Sequence, residues 1–211
     1  RRIEQVMAQH LSPHAPLIAE TGGLNAMVVD TTALTEQAVR DIIASAFQSA
    51  GQRCSALRVL YVQEEAYERT MEMLKGAMNE LALGNPWALE TDVGPIIDVA
   101  ARDKILAYIE ARKDRLLHRL EAPEGGTFVA PTVLRVTGIE EMPEEIFGPV
   151  LHVATFDGDD LDKVISAINA SGYGLTFGMH TRISSRVKRL ANMVHVGNIY
   201  VNRNQIGAVV G

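Results

Sequence analysis

Short apolar runs and amphipathic stretches alternate along this chain, and that alternation leaves few folds open. The run "NAMVVD" at 25–30 gives way to "LTEQAVRDIIASAFQSAG" at 34–51, where Ala38, Val39, Ile42, Ile43, Ala46 and Phe47 recur at helical spacing until Gly51 stops the pattern. The β-rich "ALRVLYV" at 56–62 follows, then a second amphipathic helix over 64–83, closed by Gly84 and Pro86. Further on, 101–114 reads as helix and "TFVAPTVLRV" at 127–136 as an extended pair broken by Pro131. Segments 150–156, 176–181 and 197–202 read as strands, with helices at 160–171 and 184–194 between them. Repetition of this kind predicts an α/β fold, a mainly parallel sheet covered by helices on both faces.

Composition narrows the function. With 211 residues and 47% hydrophobic content the chain can bury a sizeable core. A formal net charge of −6, with no dense Lys/Arg cluster, offers no footprint for a phosphate backbone, so nucleic acid is not an expected partner. No apolar run approaches the roughly 20 residues that span a bilayer, and "RRIEQVMAQH" lacks the apolar centre of a signal peptide. The lone cysteine fits a reducing compartment, and the expected location is cytoplasmic. His10 and His14 are separated by the helix-breaking Pro13, and no metal site is expected. Neither a G-x-G-x-x-G nor a P-loop occurs; "GYGLTFG" at 172–178 has three residues, not two, before its last glycine. The chain opens inside a helix-like pattern without a starting methionine and stops at "GAVVG" directly after a strand. It reads as a piece of a longer protein that lacks a complete nucleotide-binding domain.

Two residues stand where chemistry is placed. Cys54, in "SAGQRCSALRVL", lies between a helix and a strand, after the Gly51 turn and between Arg53 and Ser55. A free cysteine is among the most buried residue types, so a small core thiol and an accessible nucleophile both remain open readings. Glu20, in "LIAETGG", ends a short apolar strand just before Gly22 and Gly23. It is a solvated carboxylate or a base. One strand-helix-loop excursion separates the two, so both can reach one edge of the sheet, expected to be the carboxyl edge where α/β sheets put their sites. A carboxylate and a thiol there form a base and a nucleophile.

The order "ETGG", "GQRC" and "EEIFGPVL" (144–151) resembles the catalytic domain of the aldehyde dehydrogenase superfamily. The intervening segments "LIAETGGLNAMVVD", "GNPWALETDVGPIID", "INASGYGLTFGMHTR" and "GNIYVNRNQIGAVVG" are similar to the glutamate-semialdehyde (pyrroline-5-carboxylate) dehydrogenase modules of bifunctional proline-utilization proteins. The likeness runs from about Pro16 to Gly211.

The resemblance implies NAD-dependent oxidation of glutamate γ-semialdehyde to glutamate in proline catabolism. Cys54 would form a thiohemiacetal and then a thioester, with an oxyanion held by its own N–H and by an asparagine that the family supplies from an earlier segment. Glu20 would activate the hydrolytic water. Glu145 would meet the nicotinamide ribose and Phe147 the ring; read without the resemblance, one is surface charge beside Glu144 and the other a core aromatic. Ser55, Gly207 and Ala208 would bind the substrate carboxylate, where a turn-forming serine and a flexible glycine are the plain alternatives. Residues 1–19 would be the tail of an NAD-binding domain and 20–211 the catalytic domain, truncated at its C-terminus and inactive alone. The implied partners are the rest of the parent chain and further copies in an oligomer, with FAD only if a proline dehydrogenase domain accompanies it. A dehydrogenase for another aldehyde and a non-catalytic structural domain are the competing readings.

Overall fold

The computed structural model describes residues 2–17 and 22–207. After an outlying helix α1 (Arg2–His10), the chain runs β1 (Asn25–Val29), α2 (Thr35–Phe47), β2 (Leu57–Gln63), α3 (Glu64–Asn79), α4 (Val99–Glu110), β3 (Leu116–Arg119), β4 (Thr132–Arg135), β5 (Val150–Phe156), α5 (Leu161–Ala170), β6 (Thr176–His180), α6 (Ser184–Met193) and β7 (Asn198–Val201). The described strands form one sheet in the order β3-β4-β5-β2-β1-β6-β7. Every pairing is parallel except β3 with β4. The predicted α/β class is therefore observed, with one antiparallel edge strand that periodicity alone did not reveal. β3 is only four residues long and partly exposed, too short to show a period. Of the extended pair expected at 127–136, only the part after Pro131 is a strand, because proline lacks the N–H that a ladder needs.

Alternation along the strands divides the core in two. Met27, Val29, Leu60 and Val62 face α2, α3 and α4, while Ala26, Val28, Val59 and Tyr61 face α5 and α6. All five residues of β1 and all seven of β2 are buried, as expected of central parallel strands covered on both faces. One member of β2 is Arg58, a charge inside that covered strand. No helix among the described residues is long and apolar enough to cross a membrane.

His152 of β5 supports the backbone beside Arg58. Its Nδ1 donates to the Arg58 carbonyl at 3.0 Å, and its Nε2 accepts from the Tyr108 hydroxyl at 2.9 Å, which fixes a neutral imidazole. Burial drives its pKa down to about 4 against the weaker upward pull of the Arg58 carbonyl. Because the folded value lies below the unfolded one of about 6.5, the unfolded chain binds a proton first as pH falls, and stability drops between about pH 6.5 and 4. The expected loss is on the order of 3 kcal/mol. Urea unfolding across this range should show it, and His152→Gln, which keeps a donor and an acceptor but does not titrate, should flatten it.

Candidate active site

Three loops enter neighbouring strands side by side. Gly22 and Gly23 lead into β1, Cys54 into β2 and Glu145–Gly148 into β5, and these strands stand together in the order β5-β2-β1. Because they are parallel, the three loops share the amino-terminal edge of the sheet. This corrects the expectation of a site at the carboxyl edge. That opposite edge holds Asp30 at the end of β1, bonded to Thr32 and Arg186.

Arg58 ties the loops together. Its side chain has no exposed surface. Nε and Nη2 both donate to Glu145 Oε1, at 3.1 and 2.7 Å. Nη1 donates to the Gly51 carbonyl at 2.8 Å and the Gly148 carbonyl at 3.1 Å, while Nη2 also reaches the Arg53 carbonyl at 3.1 Å. The guanidinium lies 5.3 Å from the Phe147 ring centroid, within cation–π range. The other Glu145 oxygen, Oε2, accepts the Gly23 N–H at 3.0 Å. Burial lowers the Arg58 pKa, and the charge and hydrogen bonds of Glu145, followed by the charge of a Cys54 thiolate, oppose that shift.

Local geometry explains the glycines of these motifs. A Cβ on Gly22, whose φ is +148°, would come 2.6 Å from Glu145 Oε2, so the carboxylate sits on bare backbone. A Cβ on Gly23 would stand 2.9 Å from the Cys54 carbonyl. At the end of α2, Ser49, Ala50 and Gly51 have φ of 56°, 53° and 66°, a run of left-handed residues that costs about 1 to 2 kcal/mol at each non-glycine position. The run is held by Gln52 N–H on the Ser49 carbonyl at 3.1 Å and by Arg53 Nε on Ser49 Oγ at 3.1 Å. A Cβ at Gly51 would overlap the Gly148 carbonyl, so only glycine lets the two loops touch.

The expected residues fall into place unevenly. Cys54 is exposed, which removes the buried-thiol alternative. Glu145 is not surface charge but a mostly buried ion-pair partner, with its side chain 12% exposed. Phe147 is not a core aromatic; it is 46% exposed and lines a small cleft with Ala101, Lys104, Ile105, Glu145 and Ile146. Ser55 is buried, and its Oγ accepts the Gly207 N–H at 3.3 Å. That meeting depends on residues 202–207, which return from the end of β7 across α2, pinned by Gln37 on the Asn202 carbonyl and by Ser45 Oγ on the Gln205 N–H. Glu20 and Ala208 lie outside the described residues. Among the described residues no His/Cys/Asp/Glu cluster fits a metal ion.

Sequence reasoning passed over Arg58 and Asn25. Asn25 Nδ2 donates to the Cys54 carbonyl at 2.6 Å and the Ala56 carbonyl at 2.9 Å, while its Oδ1 accepts the Thr176 N–H at 3.2 Å. It fixes the Cys54 backbone from the next strand. A signal for Arg58 was present: a lone charge in a strand buried on both faces must have a partner.

Known proteins resemble this chain over nearly its whole length. The model of the aldehyde dehydrogenase family matches residues 1–211. A bifunctional protein PutA from Klebsiella aerogenes is 50% identical over 99% of this chain and 17% of its own length. A 1-pyrroline-5-carboxylate dehydrogenase from Bacillus cereus is 37% identical over 92% of this chain and 38% of its own. A crystal structure of bifunctional proline utilization A superposes with a TM-score of 0.95 at 50% identity, covering 100% of this chain and 22% of that one. A Thermus 1-pyrroline-5-carboxylate dehydrogenase with bound NAD gives 0.84 at 32% identity, covering 100% and 42%. The chain thus spans less than half the length of each of these relatives.

Two glycines test the loop contact. Gly172, with φ of +76° and nothing within 4 Å of a Cβ, should tolerate alanine at about 1 kcal/mol. Gly51→Ala adds the overlap with Gly148 and should cost at least about 3 kcal/mol. Urea unfolding of the two variants measures the difference.

Proposed function

The chain belongs to the aldehyde dehydrogenase family, and from that premise we propose that it is the catalytic domain of an NAD-dependent dehydrogenase that oxidises glutamate γ-semialdehyde to glutamate. The observation that carries the reading is the exposed Cys54 held beside Glu145 and the Gly22–Gly23 backbone by one buried guanidinium. The substrate follows from the 50% and 37% identical relatives, one a bifunctional PutA and the other a pyrroline-5-carboxylate dehydrogenase. On this reading residues 20–211 form the catalytic domain and 1–19 the tail of a cofactor-binding domain, within a longer oligomeric chain.

The Cys54 thiolate attacks the aldehyde carbon, forming a C–S bond as the carbonyl π pair moves to oxygen, with the Cys54 N–H as one donor to that oxyanion. NAD, when bound, supplies the acceptor for the hydride that leaves this carbon. The carbon is then a thioester on Cys54. Glu20 takes a proton from water as the water adds and passes it to the sulfur as the C–S bond breaks, so the acid leaves with the thiol restored.

Glu145 fits the ribose side of such a cofactor. Of about four lone-pair positions on its carboxylate, Arg58 and Gly23 fill three, which leaves one for a hydroxyl donor. The exposed Phe147 face and the cleft beside it suit the nicotinamide end. Ser55 and Gly207 already meet, and a substrate carboxylate would take the Gly207 N–H in place of Ser55 Oγ.

Steady-state assay of NADH formation by the full-length chain tests the proposal. Cys54→Ala should abolish turnover, and kcat/KM for glutamate semialdehyde should exceed that for pentanal at least roughly tenfold, as one charge-assisted hydrogen bond predicts. Retained activity in Cys54→Ala would overturn the nucleophile assignment. Equal kcat/KM for the two aldehydes would overturn the substrate assignment.

A further inference from the structure

The polarity of this sheet edge is wrong for a nucleophilic cysteine. Reactive thiols commonly sit at helix N-termini, where unsatisfied N–H groups and the positive dipole end attract the thiolate. Here the helix beside Cys54 arrives by its other end. α2 finishes at Phe47, and a short turn of Gln48–Gly51 leads to the cysteine. The carbonyls of Gly51, Arg53 and Gly148 converge there instead, each a partial negative charge.

Arg58 answers all of them. An arginine side chain has five N–H donors, and the structure places five hydrogen bonds on this one: three to those carbonyls and two to Glu145 Oε1. Two of the carbonyls belong to the turn just before Cys54 and the third to the Glu145–Gly148 loop. Arg58 therefore sets the register of one loop against the other. Stability alone does not account for it, since a buried ion pair is often no better than an apolar side chain of similar volume.

We propose that Arg58 is a positioning residue for Cys54, a buried guanidinium that gathers the carbonyls of the Cys54 loop and holds that loop in place against the Glu145–Gly148 loop. Lysine cannot substitute. It has three donors rather than five, and no planar fork to span two loops and a carboxylate.

The inference rests on the dehydrogenase reading for its kinetic arm only. In the full-length chain, Arg58→Lys is compared with wild type by iodoacetamide labelling of Cys54 without NAD, by steady-state kinetics with glutamate semialdehyde and NAD, and by thermal unfolding. The expected result is labelling slowed at least about threefold and kcat lowered at least about tenfold, with Tm within about 3 °C of wild type. If the lysine variant does not fold, Arg58→Met with Glu145→Gln removes the charge and its partner together and is read by labelling and Tm alone, since Glu145 itself serves the cofactor. Labelling and kcat at wild-type levels in the folded variant would overturn the inference and leave the dehydrogenase reading standing. Activity and Tm falling together, with labelling unchanged, would also overturn it, showing Arg58 to be a structural support. Slowed labelling in a protein whose wild type forms no NADH would overturn the dehydrogenase reading and uphold the role of Arg58 at the thiol.

Discussion

A guanidinium with no exposed surface has to bring its counter-charge and its acceptors with it, and in this chain those obligations assemble the site. Arg58 sits in β2, covered on both faces, so water cannot solvate it. Glu145 must therefore come in from the loop before β5, and the carbonyls at 51, 53 and 148 must turn inward. Glu145 in turn lies on Gly22 and Gly23. The three family motifs are thus parts of one hydrogen-bonded unit.

Such a unit needs close backbone approach, which explains where glycine is required. Gly51 passes the Gly148 carbonyl, and Gly22 and Gly23 pass Glu145 and Cys54. Two left-handed non-glycine residues, Ser49 and Ala50, store strain just before Cys54, and the bonds from Gln52, Arg53 and Arg58 hold the turn against it. Strain of this kind persists only where the surroundings over-determine it. On the other face of the site, Asn25 fixes the Cys54 and Ala56 carbonyls to β1 and the start of β6. The Cys54 backbone is clamped from both sides while its thiol remains exposed.

Much of this was legible from residue order. Strands 150–156 and 176–180 stand within a residue of where the alternation of strands and helices put them, because each is a mostly buried run followed by a helix. β3 was hidden by its length and exposure. Motif order singled out Cys54 and Glu145; between the two settings left open for the thiol the structure shows the accessible one, and the carboxylate is mostly buried and not plain surface charge. Arg58 looked like one polar residue in an apolar run, although a central parallel strand has no solvent face for it. The edge on which the site lies could not be read from spacing, since spacing brings two loops together without saying whether they precede or follow their strands. Gly207 reaches Ser55 only because residues 202–207 fold back across α2, a path fixed by the side chains of Gln37 and Ser45.

The claim that one ion pair holds the loops in place is most directly tested by a double-mutant cycle on stability. Urea unfolding of wild type, Arg58→Met, Glu145→Gln and the double variant isolates the pairwise energy. The account predicts a coupling of at least about 1.5 kcal/mol, with the double variant more stable than Arg58→Met alone because it leaves no uncompensated carboxylate. Additivity within about 0.5 kcal/mol would contradict it, since the loops would then be held by contacts that do not pass through this pair.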